Sequence, residues 1–208
     1  MTGTTRVLAI TGASGSGKST LARQLVDDCN LTTGGEPACL VGLDAYYRDL
    51  SHLSMAERER VDFDRPEAIE FPLFKQHLAT LRSGASVVAP RYDFTTHTRL
   101  KLGSDQLGPA SLVVADGLLL GAWDQLPEVV DFTVFVETPL DLCLQRRLER
   151  DCGERGRTEE SVRSFWFSRA LPGFERWGAV ARRRADLVVS GMLPAPAAVE
   201  AIRRTFAL

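Results

Sequence analysis

At 208 residues and 44% hydrophobic content, the chain carries enough apolar sequence for one well-buried α/β core and is short for two. One domain over 1–208 is therefore expected. The formal net charge of −2 gives no reason to expect nucleic acid as a partner, since arginine clusters only between Arg146 and Arg157. Cys29, Cys39, Cys143 and Cys152 show neither C-x-x-C nor Cys/His ligand spacing, which argues against zinc and for a reduced compartment.

In chain order, Val7-Leu8-Ala9-Ile10 reads as a short buried strand. It runs into Gly12-Ala13-Ser14-Gly15-Ser16-Gly17-Lys18-Ser19, which matches the phosphate-loop pattern G-x-x-x-x-G-K-[ST] at every fixed position. Leu21, Leu25 and Cys29 then recur at helical spacing. In this pattern the glycines let the backbone curl around a polyphosphate, Lys18 meets its β- and γ-phosphates, and Ser19 meets Mg²⁺. A polar loop is expected over Thr32 to Pro37, followed by a second strand from Ala38 to Leu43 that ends at Asp44.

The region from Asp49 to Pro109 reads as an insertion with a helix from Pro72 to Arg82. In it, Val87–Pro90 and Arg99–Leu102 flank Tyr92-Asp93-Phe94 and are expected to pair as a small antiparallel ribbon. Leu112–Ala115 and Phe132–Val136 read as the third and fourth buried strands, ending at Asp116 and near Glu137. Leu140, Cys143, Leu144 and Leu148 give one apolar face to a helix that leads into the loop Glu154-Arg155-Gly156-Arg157. A helical stretch from Glu159 follows, with Pro172-Gly173 expected to interrupt or bend it. Asp186–Ser190 is the fifth strand and Pro196–Phe206 the closing helix. Alternation at these lengths predicts an α/β, doubly wound parallel sheet of about five strands flanked by helices. No charged and apolar leader precedes the first strand, and Asp116 breaks the longest apolar stretch, so a soluble cytoplasmic protein with no membrane partner is expected.

Asp116 ends a hydrophobic strand, where a carboxylate holds Mg²⁺ directly or through water in phosphate-loop proteins. Asp44 ends a neighbouring one and is a candidate general base toward an acceptor hydroxyl, with a secondary contact to the metal shell. Arg147, Arg150, Arg155 and Arg157, on a helix and the loop beyond it, suit a lid over about 145–160 that covers a triphosphate, because planar guanidinium groups grip phosphate oxygens in pairs. Arg146 is read instead as part of a solvated basic face.

Six segments together carry a resemblance. They are Gly12 to Thr20, Asp44-Ala45-Tyr46-Tyr47-Arg48-Asp49, Asp62-Phe63-Asp64-Arg65-Pro66-Glu67-Ala68, Pro90 to Arg99, Asp116-Gly117-Leu118-Leu119, and Arg147 through Arg157. In this order the chain resembles the uridine kinase group of the phosphoribulokinase/uridine kinase family, from the first strand to about Trp177. The resemblance implies a phosphate-loop kinase that phosphorylates the 5′-hydroxyl of a pyrimidine nucleoside, uridine or cytidine, with ATP or GTP and Mg²⁺. It places Asp44 on the catalytic base, Tyr47 beside the acceptor, Asp64 on the ribose hydroxyls, and Tyr92 and His97 on the edge of the base. Arg147 and Arg157 fall on acceptor-side positions and Arg150 and Arg155 on phosphate-side ones. A homo-oligomer is also implied.

The chain departs from the family pattern at four places: Asp116 stands where Glu is general, Arg65 where His is usual, Phe165 where a nucleoside-contacting Gln is frequent, and Trp166 where Tyr is common. Losing an amide removes a hydrogen-bond partner, worth on the order of tenfold in discrimination. Two rivals therefore stand beside the main expectation. One is a kinase of another small hydroxylated metabolite, and the other a nucleotide-dependent switch without catalysis, though no N-K-x-D guanine-reading tetrapeptide is present.

Overall fold

The computed structural model describes residues 5–32, 38–100, 105–154 and 156–208. Strand β1 (Arg6–Gly12) leads through the glycine loop into α1 (Lys18–Thr32), and β2 (Ala38–Gly42) into a 3₁₀ turn over Leu43–Tyr46. Then come α2 (Met55–Arg58), α3 (Phe71–Arg82), β3 (Val87–Ala89), β4 (Tyr92–Asp93), β5 (Thr98–Arg99) and β6 (Asp105–Leu107). Strands β7 (Leu112–Asp116) and β8 (Phe132–Glu137) precede α4 (Leu140–Glu154), α5 (Glu159–Phe165) and α6 (Leu171–Arg184); β9 (Leu187–Ser190) and α7 (Ala195–Phe206) close the chain.

Five strands form one parallel sheet in the order β2-β7-β1-β8-β9. The order reverses direction on either side of β1, which puts the carboxyl ends of β1, β2 and β7 beside one crevice, where open α/β sheets bind ligands. Period-two alternation sorts the side chains. Val7 and Ala9 of β1 point into a core with Val41, Val113, Phe74 and Leu78, while Leu8 and Ile10 point into another with Leu25, Val134, Ile202 and Phe206. Both faces of the sheet are thus covered, as a parallel sheet requires.

The insertion differs from its sequence reading in one respect. Val87–Ala89 pairs antiparallel with Asp105–Leu107, and Tyr92–Asp93 pairs with Thr98–Arg99, so Arg99 belongs to a tighter hairpin. Lys101 and Leu102 lie outside the described residues, as does most of the Thr32–Pro37 loop. The hairpin closes because Asp93 accepts bonds from Thr95 and Thr96 and because His97 takes a left-handed backbone (φ 53°). The stretch after Glu159 is not interrupted: α5 passes through a five-residue π segment, Trp166–Ala170, into α6, and Pro172 follows just after that segment. Among the described residues no helix is long and apolar enough to cross a membrane.

Candidate active site

The glycine loop is held by close backbone contact. A Cβ on Gly12 would lie 2.6 Å from the Val136 carbonyl oxygen, and one on Gly15 (φ 85°) would collide with the carbonyl of Cys143. Only glycine fits there, and the loop is clamped against β8 and α4. The Ser16 carbonyl accepts a bond from Thr138 Oγ1 (2.9 Å), and the Ser16 N–H donates to Ala13 (3.0 Å). Ala13 is buried, Ser14, Lys18 and Ser19 are half-buried, and Thr20 is exposed.

Parallel register puts Asp116 opposite Ile10 of β1 and Gly42 of β2, so it faces the loop from the same sheet edge. Its Oδ1 is buried without a hydrogen-bond partner, and the Ser19 hydroxyl lies near enough to favour its charged form. Burial pushes the Asp116 carboxyl above its usual range, against the opposing pull of Lys18. Asp44 sits two residues past β2 in the 3₁₀ turn, exposed to the crevice, and its charge acts on both Asp116 and Asp64. Asp64 is 8% exposed, and its Oδ2 has no partner. Burial raises this carboxyl too, with Arg147 pulling the other way. Three carboxylates and Lys18 are therefore brought together electrostatically.

Aromatic rings form the wall beyond Asp64. Tyr47 packs edge-on against Phe63 (5.4 Å) and tilted against Tyr92 (5.2 Å), and His97 stacks on Phe63 (4.8 Å). The Tyr47 hydroxyl donates to the Phe63 carbonyl (3.1 Å), whereas the Tyr92 hydroxyl is buried and unpartnered, its pKa raised by burial to about 12. His97 is held below the usual histidine value by burial. Arg99 ties these pieces together. Its guanidinium donates to the carbonyls of Tyr46 and Tyr47 and to Glu70 (2.6 Å), joining the Asp44 turn to the hairpin that carries Tyr92 and His97.

Three of the expected lid arginines meet at one carboxylate. Arg147 (7% exposed), Arg150 and Arg157 converge on the fully buried carboxylate of Asp151, while Arg155 lies outside the described residues. Arg146, read as solvated, instead bridges the Gly15 carbonyl (3.5 Å) and the Gly191 carbonyl (3.2 Å). It lines a cavity of about 270 Å³ with Gly17, Leu21, Val136, Leu193 and Ala198. Helical spacing gave no hint of this, because the loop after β9 reaches Arg146 only through the fold. Phe63, Arg99, Asp151 and Arg146 are the site-lining residues whose sequence signal was weakest, since each acts through a partner far along the chain or through a plain ion pair.

Among the described residues no group of three or more His, Cys, Asp or Glu side chains could hold a metal ion. One carboxylate with an orphaned buried oxygen beside one serine hydroxyl is nonetheless what an ion sharing its shell with phosphate and water requires.

A family model described as the phosphoribulokinase/uridine kinase family matches residues 7–195. A uridine kinase from Shewanella sp. (strain ANA-3) is 40% identical over 183 residues, covering 88% of this chain and 86% of its own. One from Shewanella amazonensis is 39% identical over the same shares. Among solved structures, a Silicibacter sp. TM1040 protein provisionally named a fructose transport system kinase superposes with a TM-score of 0.71 at 23% identity, over 91% of both chains. A possible uridine kinase from Bacillus stearothermophilus gives 0.59 at 19% identity, over 90% of both. The structural likenesses speak for the fold, and the 40% relatives, with the family match over most of the length, speak for descent. The chain belongs to the phosphoribulokinase/uridine kinase family and is a phosphotransferase with a hydroxyl acceptor.

Proposed function

We propose that the protein transfers the γ-phosphoryl group of ATP or GTP to the 5′-hydroxyl of uridine or cytidine. The observation that carries this reading is the pairing of a buried, unpartnered carboxylate, Asp64, with an aromatic wall of Tyr47, Phe63, Tyr92 and His97 beside the phosphate loop. A buried carboxylate oxygen that lacks a donor suits a ribose hydroxyl, and an aromatic wall with a buried phenol that lacks a partner suits a planar base with polar edges. The 40% identical relatives named uridine kinase support the same acceptor.

In this reading the loop amides from Gly12 to Thr20 and the Lys18 ammonium bind the triphosphate, and the donor's base enters the cavity walled by Arg146. Ser19 and Asp116 would hold Mg²⁺, with Asp44 in its outer shell. When bound, the ion neutralises charge on the β- and γ-phosphates. Asp64 and Arg147 orient the ribose so that its 5′-hydroxyl points at Asp44. As the hydroxyl oxygen bonds to the γ-phosphorus, the bond to the β–γ bridging oxygen breaks, the diphosphate leaves, and Asp44 takes the hydroxyl proton. Arg150 stabilises the phosphoryl oxygens from the lid side.

A second reading keeps the chemistry and changes the acceptor, and Phe165 favours it. Its ring lies among the guanidinium groups of Arg147, Arg157 and Arg169 and offers an acceptor no hydrogen bond. Incubating the purified protein with Mg²⁺, ATP or GTP and a panel of nucleosides and other hydroxylated metabolites separates the two. Diphosphate release coupled to UMP or CMP supports the first reading. Turnover of another acceptor, with none for any pyrimidine nucleoside, rejects it.

A further inference from the structure

Asp151 is fully buried, the most enclosed charged side chain among the described residues. Its Oδ1 accepts from Arg150 Nε (2.9 Å) and Nη2 (2.8 Å). Its Oδ2 faces Arg147 Nε at 3.3 Å and Arg157 Nη1 at 3.6 Å. These partners come from both sides of the lid, because Arg147 and Arg150 sit on α4 and Arg157 in the loop beyond it. The Arg157 backbone N–H also donates to the Asp151 carbonyl (3.1 Å), folding that loop back onto the helix end.

Phe165, on α5, closes the assembly from the opposite side. Its ring centroid lies 4.9 Å from the Arg147 guanidinium carbon and 5.2 Å from that of Arg157, with Arg169 at 5.8 Å. Arg169 in turn donates to the Val61 carbonyl (3.1 Å), which ties the π segment to the strip of chain that carries Asp64. Guanidinium groups packed this closely repel one another unless a carboxylate and a π face hold them. A buried carboxylate that, among the described residues, meets Arg147, Arg150 and Arg157 fills that need, and removing its charge leaves the cations uncompensated.

We infer that Asp151 and Phe165 are positioning residues for phosphoryl transfer: together they fix Arg147 and Arg157 toward the acceptor and Arg150 toward the donor before either ligand arrives. The lid arginines are then ordered by the chain itself and not by incoming phosphate. The kinetic arm of this inference rests on the phosphotransferase activity proposed above, whichever acceptor is used. The cleavage arm does not.

The test replaces Asp151 with Asn, which keeps the shape and removes the charge, and Phe165 with Leu, which keeps apolar volume and removes the π face. In full-length protein with nucleotide and Mg²⁺, each variant is expected to lose at least tenfold in kcat and to raise the acceptor KM severalfold. The Kd of a fluorescent ATP analogue should stay within about threefold, since the glycine loop is untouched. Without any acceptor, tryptic cleavage after Arg150 or Arg157 should quicken at least fivefold, more than global unfolding at the measured thermal midpoint accounts for. A merely structural pair would lower the midpoint and the active fraction while leaving the KM alone. If D151N does not fold, F165L carries the same readouts. Wild-type kcat, KM and cleavage rates in whichever variant folds would overturn the inference.

Discussion

The glycine cradle and the aromatic wall are built by opposite means. Around the triphosphate position the chain uses backbone: consecutive residues from Gly12 to Ser19, glycines at positive φ, and contacts so close that a single methyl group has no room. Around Asp64 it uses side chains from the Asp44 turn, the Phe63 strip, the Tyr92 hairpin, α4 and α5, joined by Arg99 and Asp151. A backbone cradle tolerates no change and reads the ligand's charge. A side-chain wall admits substitution one residue at a time.

The largest expected break in this contrast is chemical. Asp44→Asn keeps both halves folded and should lower kcat on the order of 10²–10⁴-fold, with nucleotide affinity little changed in a titration. If turnover survives, the proton goes elsewhere. Gly15→Ala attacks the cradle alone. The collision with the Cys143 carbonyl and the left-handed backbone should cost about 1–3 kcal/mol in denaturant unfolding and weaken nucleotide binding, whereas small substitutions in the wall should spare it.

A third variant sharpens the comparison through stability. Burial raises the Asp116 carboxyl, so the folded state disfavours its charged form relative to the unfolded chain, and Oδ1 has no donor. The stability linked to a raised carboxyl is present below the unfolded value and lost as pH rises through the folded one. Asp116→Asn, measured without nucleotide or divalent cation, should therefore raise the thermal midpoint by about 2–4 °C, the shift that roughly 1 kcal/mol gives in a chain of this size. It should reduce turnover at the same time. A lowered midpoint would contradict the assignment of strain to that oxygen.

The smallest effect belongs to the wall. Burial holds His97 below 6.5, so as pH falls through 6.5 the unfolded chain takes up a proton before the folded one does. Stability present above 6.5 is lost on acidification, with a slope of at most about 1.4 kcal/mol per pH unit for one group. Melting curves from pH 7.5 to 5.5 should show a falling midpoint, and His97→Gln should flatten part of it. His77, also depressed by burial, accounts for a remainder.

The same contrast explains what could be read from the sequence. The cradle is one contiguous motif whose steric demands are written as glycines, and the five buried strands announce themselves as apolar runs ending in acids. The ribbon was misassigned because Val87–Ala89 has two candidate partners and the choice depends on where α3 and Leu107 pack, which no local pattern states. Arg146 was misread because its partner Gly191 lies 45 residues away. The wall residues were legible only as a resemblance across several segments, since Tyr47, Phe63 and His97 meet through rings whose sequence spacing carries no period.

Gly191 has one more consequence. A Cβ on it would run into Thr138 Oγ1 and the Ser16 carbonyl, so the turn after the last strand presses directly on the glycine loop. The loop leaves the ribosome ahead of the strands that flank it, and β1 finds its sheet neighbours only when β7 and β8 have followed. The wall of the donor cavity arrives later still, with Ser190 to Ala198. During synthesis the phosphate motif therefore waits, complete in sequence and unfinished in space, until the segment from Ser190 to Ala198 has been made.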